Sequence, residues 1–155
     1  MRSFASCLLH CVFATKHREP FLSPEIRTRL FPYLIGIARE QDLRLLAVGG
    51  VADHVHLLLA IPSTMTIAKA MQLLKGNSSK WIHETFPDLR SFNWQGGYGA
   101  FSIGVSGIEA TTRYILEQEQ HHQTKSFRDE LVGILEKHGI TFEEWMLRDD
   151  AEVGG

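Results

Sequence analysis

Hydrophobic residues along this chain form short continuous runs, separated by longer stretches in which they recur at helical spacing. Continuous apolar runs of strand length are typical of strands buried in a sheet. The four predicted strands are residues 3–14, 43–50, 53–61 and 94–104, the last loosened by glycine. Hydrophobic side chains that recur every three or four positions predict amphipathic helices. The four predicted helices are residues 24–42, 66–86, 108–123 and 127–139.

Several of these helices begin or end at residues that favour helix termini. Ser23 and Pro24 supply an N-cap and a first helical residue, and Gly139 ends the last predicted helix. Inside the first two helices, Pro32 predicts a kink and Gly76 an interruption. A tight connection that contains glycine predicts that the second and third strands form a hairpin.

The order of these elements is β-α-β-β-α-β followed by two helices. This order matches the split βαβ unit of an α+β, ferredoxin-like sandwich, in which the first and third strands are central. We therefore expect an antiparallel sheet with helices on one face, while the other face is free for a functional site. Residues 1–147 are predicted to form one domain, and the acidic residues 148–155 a disordered tail.

Composition narrows the class of protein only moderately. The chain has 155 residues, of which 44% are hydrophobic and 22% charged, so it can bury a core without disulfide or metal staples. A net charge of −2 argues against a protein that coats duplex DNA, although a local basic groove is compatible with it. Cys7 and Cys11 form no zinc motif and are predicted to be reduced core thiols. The sequence predicts neither a signal peptide nor a membrane span, and hence a cytoplasmic protein.

Two histidines stand two residues apart in the apolar third strand. Because side chains alternate across a strand, His54 and His56 project from the same face. Neutral imidazoles placed this closely favour a metal or phosphate site, which needs a third ligand from elsewhere in the chain. A histidine-triad hydrolase is the first alternative, but Leu58 stands where its third histidine would be.

The third predicted helix carries a candidate third ligand and a candidate nucleophile. Tyr114 and Gln118 are four residues apart and lie on one helical face. A tyrosine can act as a nucleophile toward phosphorus, and an amide oxygen can bind a hard divalent cation. Glu117 is an alternative ligand to Gln118, although it points about 100° away around the helix. His121 and His122 follow, and their spacing assigns them no role.

Four motifs together resemble one known family. They are "HVH", "FNWQGGYGAFSIG", "RYILEQEQHH" and "SFRDELVGILEKHGI". They resemble the IS200/IS605-type transposases, which are single-tyrosine members of the HUH (His-hydrophobic-His) nucleases and include the REP-associated tyrosine transposases. The resemblance extends from "CVFATKHREPFL" to "FEEWML", which is nearly the whole chain.

The resemblance implies an activity and a set of site residues. His54, His56 and Gln118 would bind Mg²⁺ or Mn²⁺, and Tyr114 would attack a phosphodiester of single-stranded DNA. The products would be a 5′-phosphotyrosine and a free 3′-OH that later rejoins the DNA. The family also implies DNA ends recognised as imperfect hairpins, and a homodimer in which the tyrosine helix can dock on the partner. A hinge at residues 104–107 suits such an exchange.

Candidate DNA contacts are less specific. Cations and small polar side chains could meet phosphates at seven positions, which are Lys75, Asn77, Ser78, Ser79, Lys80, Lys16 and Arg18. Trp94, Tyr98 and Phe101 could stack on bases or could belong to the core. A rival hypothesis from another class is a nucleic-acid-binding module with an RNA-recognition-like sheet and no catalysis.

Overall fold

Four antiparallel strands form a single sheet in the order β2-β3-β1-β4. The computed structural model describes residues 1–148, and the rest of the predicted tail, residues 149–155, lies outside the described residues. The strands are β1 (Leu8–Ala14), β2 (Arg44–Gly50), β3 (His54–Ala60) and β4 (Gly99–Ile103). The first and third strands are central, and β2 and β3 form a hairpin, so both predictions are confirmed.

Within residues 1–148, five α-helices accompany the sheet: α1 (Pro24–Glu40), α2 (Ile67–Thr85), α3 (Ile108–Leu116), α4 (Gln118–His121) and α5 (Phe127–Lys137). The predicted α+β order is therefore confirmed. Ser23 caps α1 as predicted, since its hydroxyl accepts a hydrogen bond from the Ile26 amide. Pro32 lies inside α1 and Gly76 inside α2, and neither residue ends its helix. None of the helices within residues 1–148 is both long and apolar enough to cross a bilayer.

The first strand is shorter than its apolar run. It begins at Leu8, which pairs with Ala60 and Ile103 at the ends of both neighbouring strands. Residues before Leu8 therefore lack the flanking strands that would bury them. Cys7 is exposed, so its prediction as a core thiol is wrong, whereas Cys11 is buried and its burial raises the pKa of its thiol to about 12.

Helices cover both faces of the sheet. On one face, Val55, Leu57 and Leu59 pack in the main core beneath α1 and α2. The other face, which was expected to be free, is covered by the C-terminal helices. There Leu58 packs with Ile115 of α3, and Phe127 of α5 completes another apolar cluster. His54 and His56 belong to this second face, so their site is enclosed between the sheet and the C-terminal helices.

Close packing of α3 on the sheet depends on Gly49 in β2. A Cβ atom at this position would lie 2.1 Å from the carbonyl oxygen of Ile115, which is backbone and cannot rotate away. We expect Gly49→Ala to lower the free energy of unfolding by about 1–3 kcal/mol, the usual cost of overpacking. Urea unfolding of the purified variant measures this change.

Gly36→Ala is the matched control. Gly36 lies within α1, and a Cβ there would meet no atom within 4 Å. Alanine should be neutral or stabilising at such a helical position. Equal stability of the two variants would contradict the close packing of α3 against Gly49.

Candidate active site

The two histidines of β3 are completely buried, and each has a partner for its second ring nitrogen. The Nδ1 of His54 lies 2.7 Å from a carboxylate oxygen of Asp53, and the Nδ1 of His56 lies 2.8 Å from the Nε2 of His10. In the tautomer with a proton on Nδ1, both Nε2 atoms are left to bind another group. Metal-binding histidines are typically held in this manner by a second hydrogen bond.

A carboxylate from α5 lies where these imidazoles converge. One oxygen of Glu130, Oε1, is 2.8 Å from the Nε2 of His56 and 3.3 Å from the Nε2 of His54. The Nε2 of His122 lies 3.1 Å from the same oxygen, without the alignment of a hydrogen bond. Only 3% of Glu130 is exposed, so this charge is held almost entirely by its neighbours.

The other oxygen of Glu130 faces the predicted nucleophile and the predicted third ligand. Its Oε2 atom accepts hydrogen bonds from the hydroxyl of Tyr114 and, at 3.2 Å, from the amide of Gln118. The amide oxygen of Gln118 in turn lies 3.3 Å from the Nε2 of His54. Tyr114, Gln118, His54 and His56 therefore meet around one carboxylate.

The backbone that carries these two groups differs from the prediction. A continuous helix over residues 108–123 was expected, but α3 ends at Leu116 and α4 begins at Gln118. The break falls at Glu117, which has φ −100° and ψ 23°. Beyond it the Gln118 side chain is buried and turns toward Tyr114 and Glu130. The carboxylate that reaches the histidines is that of Glu130, not that of Glu117.

The tyrosine ring is surrounded by imidazoles. Its centroid lies 5.9 Å from that of His10 and 5.8 Å from that of His56, both in edge-on contact, and His121 stacks on it at 4.6 Å. Burial raises the pKa of Tyr114, and its hydrogen bond to Glu130 raises it further. The phenol is thus protonated and oriented toward the histidine cluster.

The cluster divides into charged and neutral members. Burial alone would raise the pKa of Glu130, but hydrogen bonds from His54 and His56 hold it well below its usual range. Burial lowers the pKa of His56. Burial would also lower the pKa of His54, but its contacts with Asp53 and Glu130 raise it overall. The raised pKa of His54 and the lowered pKa of Glu130 therefore favour an ion pair between these two groups, while burial favours the neutral form of His56.

Acid sensitivity of the metal-free protein is expected to depend on His10. Burial, with the nearby His56, lowers the pKa of His10 from its usual 6.5 to about 3. Below pH 6.5 the unfolded chain binds a proton at this residue that the folded chain does not, so stability falls with pH. The loss approaches about 1.4 kcal/mol per pH unit below the unfolded pKa, which gives about 2 kcal/mol between pH 6.5 and 4.5.

His10→Gln removes this titration and keeps a side-chain amide that can hydrogen-bond to the Nδ1 atom of His56. In EDTA, urea unfolding across that pH range should show a shallower loss of stability for His10→Gln than for the native protein. Asp53 and Glu130, whose pKa values are lowered from 3.8 and 4.5, lose their stabilising effect mainly below this pH range. Parallel pH profiles would show that folded His10 takes up the proton.

One set of side chains in the described residues fits a divalent metal. Ligand atoms of His54, His122 and Glu130 all lie within 4.8 Å of one another. Two imidazole nitrogens and a carboxylate oxygen are ligands that Mn²⁺ and similar cations accept. His56 and Gln118, the other two predicted ligands, border this set through Glu130 and His54.

Sequence reasoning missed Glu130 and His10, and it gave His122 no role. Glu130 occupies the buried stripe of α5 that also includes Phe127, and charged residues rarely occupy such a position without a partner. His10 interrupts the apolar run of β1 in the same way. A polar residue within an apolar pattern was the available signal in both cases.

The structure corrects part of the predicted DNA-binding set. Ser78 is completely buried and its hydroxyl accepts a hydrogen bond from the indole of Trp94, so its prediction as a DNA contact is wrong. The ammonium group of Lys75 is held by the carbonyls of Gln95 and Gly97, at 2.7 and 2.8 Å. Trp94 belongs to the core, the second of its two predicted alternatives.

The remaining predicted contacts lie at or near the surface. Arg18 donates a hydrogen bond to the carbonyl of Leu147, and its guanidinium lies 5.0 Å from the ring centroid of Phe127. The others are exposed or half-buried and stay predictions: Lys16, Asn77, Ser79 and Lys80.

Comparison with known proteins identifies the class that this sheet and site define, the DNA transposases. The transposase of insertion sequence IS200 from Salmonella typhimurium is 32% identical over 123 residues, which cover 74% of this chain and 80% of that protein. The ISDra2 transposase TnpA of Deinococcus radiodurans is 28% identical over 104 residues, covering 67% of this chain and 74% of that one.

A solved structure agrees with this fold. The structure of a REP-associated tyrosine transposase bound to a REP hairpin has a TM-score of 0.54 at 15% identity, and the match covers 74% of this chain and 68% of that one. A model of the family described as "Transposase IS200 like" matches residues 3–118. The chain therefore belongs to the IS200-like transposases and is an enzyme that acts on DNA.

Proposed function

We propose that this transposase cleaves and rejoins single-stranded DNA through a 5′-phosphotyrosine on Tyr114, with a divalent cation at the histidine cluster. The observation that carries the proposal is the convergence of the Tyr114 hydroxyl and the Nε2 atoms of His54 and His56 on the carboxylate of Glu130. A nucleophile and a set of ligands thus share one enclosed site.

The residues of the chain account for the proposed covalent step. The Tyr114 oxygen attacks the phosphorus, a new phosphorus–oxygen bond forms, and the bond to the 3′ oxygen of the neighbouring nucleotide breaks. The phenolic proton leaves along the hydrogen bond to the Oε2 atom of Glu130 and passes on to water, because a carboxylate with a lowered pKa does not retain it. The departing 3′ oxygen leaves as a hydroxyl after protonation from water. The phosphodiester energy is kept in the tyrosine adduct, so the reverse attack by a 3′-OH rejoins DNA.

The residues that would hold the cation are His54, His122 and Glu130, with His56 and Gln118 beside them. Mg²⁺ or Mn²⁺ bound there supplies Lewis-acid polarisation of the scissile phosphate. Asp53 and His10 keep the two imidazoles of β3 oriented, because each binds the Nδ1 atom on the far side of the ring.

The partner that we propose is single-stranded DNA with hairpin ends. Support comes from the structural relative, which is bound to a REP hairpin. A flexible single strand can be bent so that one phosphate meets Tyr114 and the histidines together, which a stiff duplex does less readily. A homodimer and a cytoplasmic location remain part of the proposal. Within one chain, α3 packs on its own sheet through Ile115 and Gly49.

A covalent-adduct assay tests this function. The protein is incubated with labelled strands taken from the DNA that flanks its gene, with Mn²⁺, and analysed on a denaturing gel. We expect a protein–DNA band with a single strand that disappears with EDTA and is absent when the same sequence is duplex. Strand binding without an adduct on any flanking strand would favour the non-catalytic nucleic-acid-binding module.

A further inference from the structure

We infer that a cleft beside the histidine cluster binds a nucleobase of the strand that is cleaved, an inference that rests on the proposed function. The cleft lies between β4, α5 and residues 140–148, and its volume is about 370 Å³. This size falls within the roughly 300–1,000 Å³ typical of small-molecule sites. It is therefore large enough for a single base.

Several aromatic rings line this cleft. Phe101 and Phe127 form its inner side, Phe142 comes from the C-terminal segment, and Tyr98 stands at the edge with 43% of its surface exposed. The Arg18 guanidinium also lines the cleft, above the ring of Phe127. Aromatic rings and arginine planes are the surfaces on which proteins stack unpaired bases.

The position of the cleft relates it to the proposed chemistry. Phe127 belongs to both places, because it lines the cleft and its ring centroid lies 4.5 Å from that of His54. Only the Phe127 side chain therefore separates the cleft from His54, a distance that one nucleotide of the bound strand spans. Its position next to the histidines favours a base of the substrate strand over an unrelated small molecule.

The rim of the cleft is held in place before any ligand binds. Lys75 reaches from α2 and binds the carbonyls of Gln95 and Gly97. Gly97 has φ +85°, a conformation that other residues adopt only with strain. The segment that leads to Tyr98 is thereby fixed, and a preformed stacking surface reduces the entropy lost on binding. We therefore assign Lys75, which the sequence suggested as a phosphate contact, to supporting the rim of the cleft.

The test combines Tyr98→Ala with a strand in which one nucleotide at a time is abasic. Loss of one stacked base costs about 1–3 kcal/mol, so Tyr98→Ala should weaken binding of the intact strand by roughly 5- to 150-fold. One abasic position next to the cleavage site should weaken binding to the native protein by a similar factor. At that position, Tyr98→Ala should add no further loss, since the base and the ring act together. Tyr98→Phe, which keeps the ring, should bind as the native protein does.

Fluorescence anisotropy measures these affinities without requiring cleavage, so the result is separate from the adduct assay. An equal effect of Tyr98→Ala on intact strands and on every abasic strand would overturn the inference, even where the adduct forms. Native affinity of Tyr98→Ala for the intact strand would overturn it as well. Failure of the adduct with the coupled binding loss intact would reject the tyrosine chemistry alone.

Discussion

Replacement of Tyr114 by phenylalanine is expected to abolish the covalent protein–DNA adduct completely. The variant loses the oxygen that attacks phosphorus but keeps the ring that packs against His10, His56 and His121. Its stability should change by only about 1 kcal/mol, because one hydrogen bond to Glu130 is removed and the histidines still neutralise that carboxylate. The measurement is the band on a denaturing gel, with Mn²⁺ and the native flanking strand.

Tyr33→Phe is the matched control for this change. Tyr33 lies in α1, is 38% exposed and stacks on Trp81, so it belongs to the helical layer on the opposite side of the sheet. Its variant should form the adduct at the native rate. An adduct that survives Tyr114→Phe would identify another nucleophile and reject the assignment of Tyr114.

Loss of the carboxylate at position 130 is expected to have the largest effect on metal affinity. Glu130→Gln keeps the shape of the side chain but removes the one negative charge that His54, His56 and His122 share. Loss of an outer-shell partner typically lowers metal affinity by about 10- to 100-fold, so loss of a charged ligand should lower it by more than about 100-fold. Titration calorimetry with Mn²⁺ in the absence of DNA measures this directly.

Two further variants show whether a loss of Mn²⁺ affinity in Glu130→Gln comes from the loss of a metal ligand. Glu136→Gln removes an exposed charge from the same helix and should leave the affinity for Mn²⁺ unchanged. Gln118→Ala distinguishes two ligand sets. The family resemblance implies His54, His56 and Gln118, whereas the structure favours His54, His122 and Glu130. If Gln118→Ala weakened Mn²⁺ binding more than Glu130→Gln did, Gln118 would be the ligand and Glu130 only a hydrogen-bond acceptor.

The fold was largely predictable because its signals are local. Continuous apolar runs marked the strands, the capping residue Ser23 marked a helix start, and the element order selected the ferredoxin-like sheet. The errors also have local causes. The apolar run before Leu8 has no neighbouring strand to pair with, and the helix after Tyr114 breaks at Glu117, which periodicity alone does not reveal.

The residues of the candidate site were likewise predictable where the signal lies within one element, and not where it depends on packing between elements. Alternation along one strand was enough to put His54 and His56 on one face. Helical spacing predicted that Tyr114 and Gln118 lie together, and they do, although the helix breaks between them. Periodicity within an element does not say which helix packs on which face of the sheet. Glu130 meets His56 across 74 residues of chain, and His10 meets it across 46. Only the packing of α5 and β1 around β3 brings these groups together, so the carboxylate and the buried histidine belong to the tertiary structure.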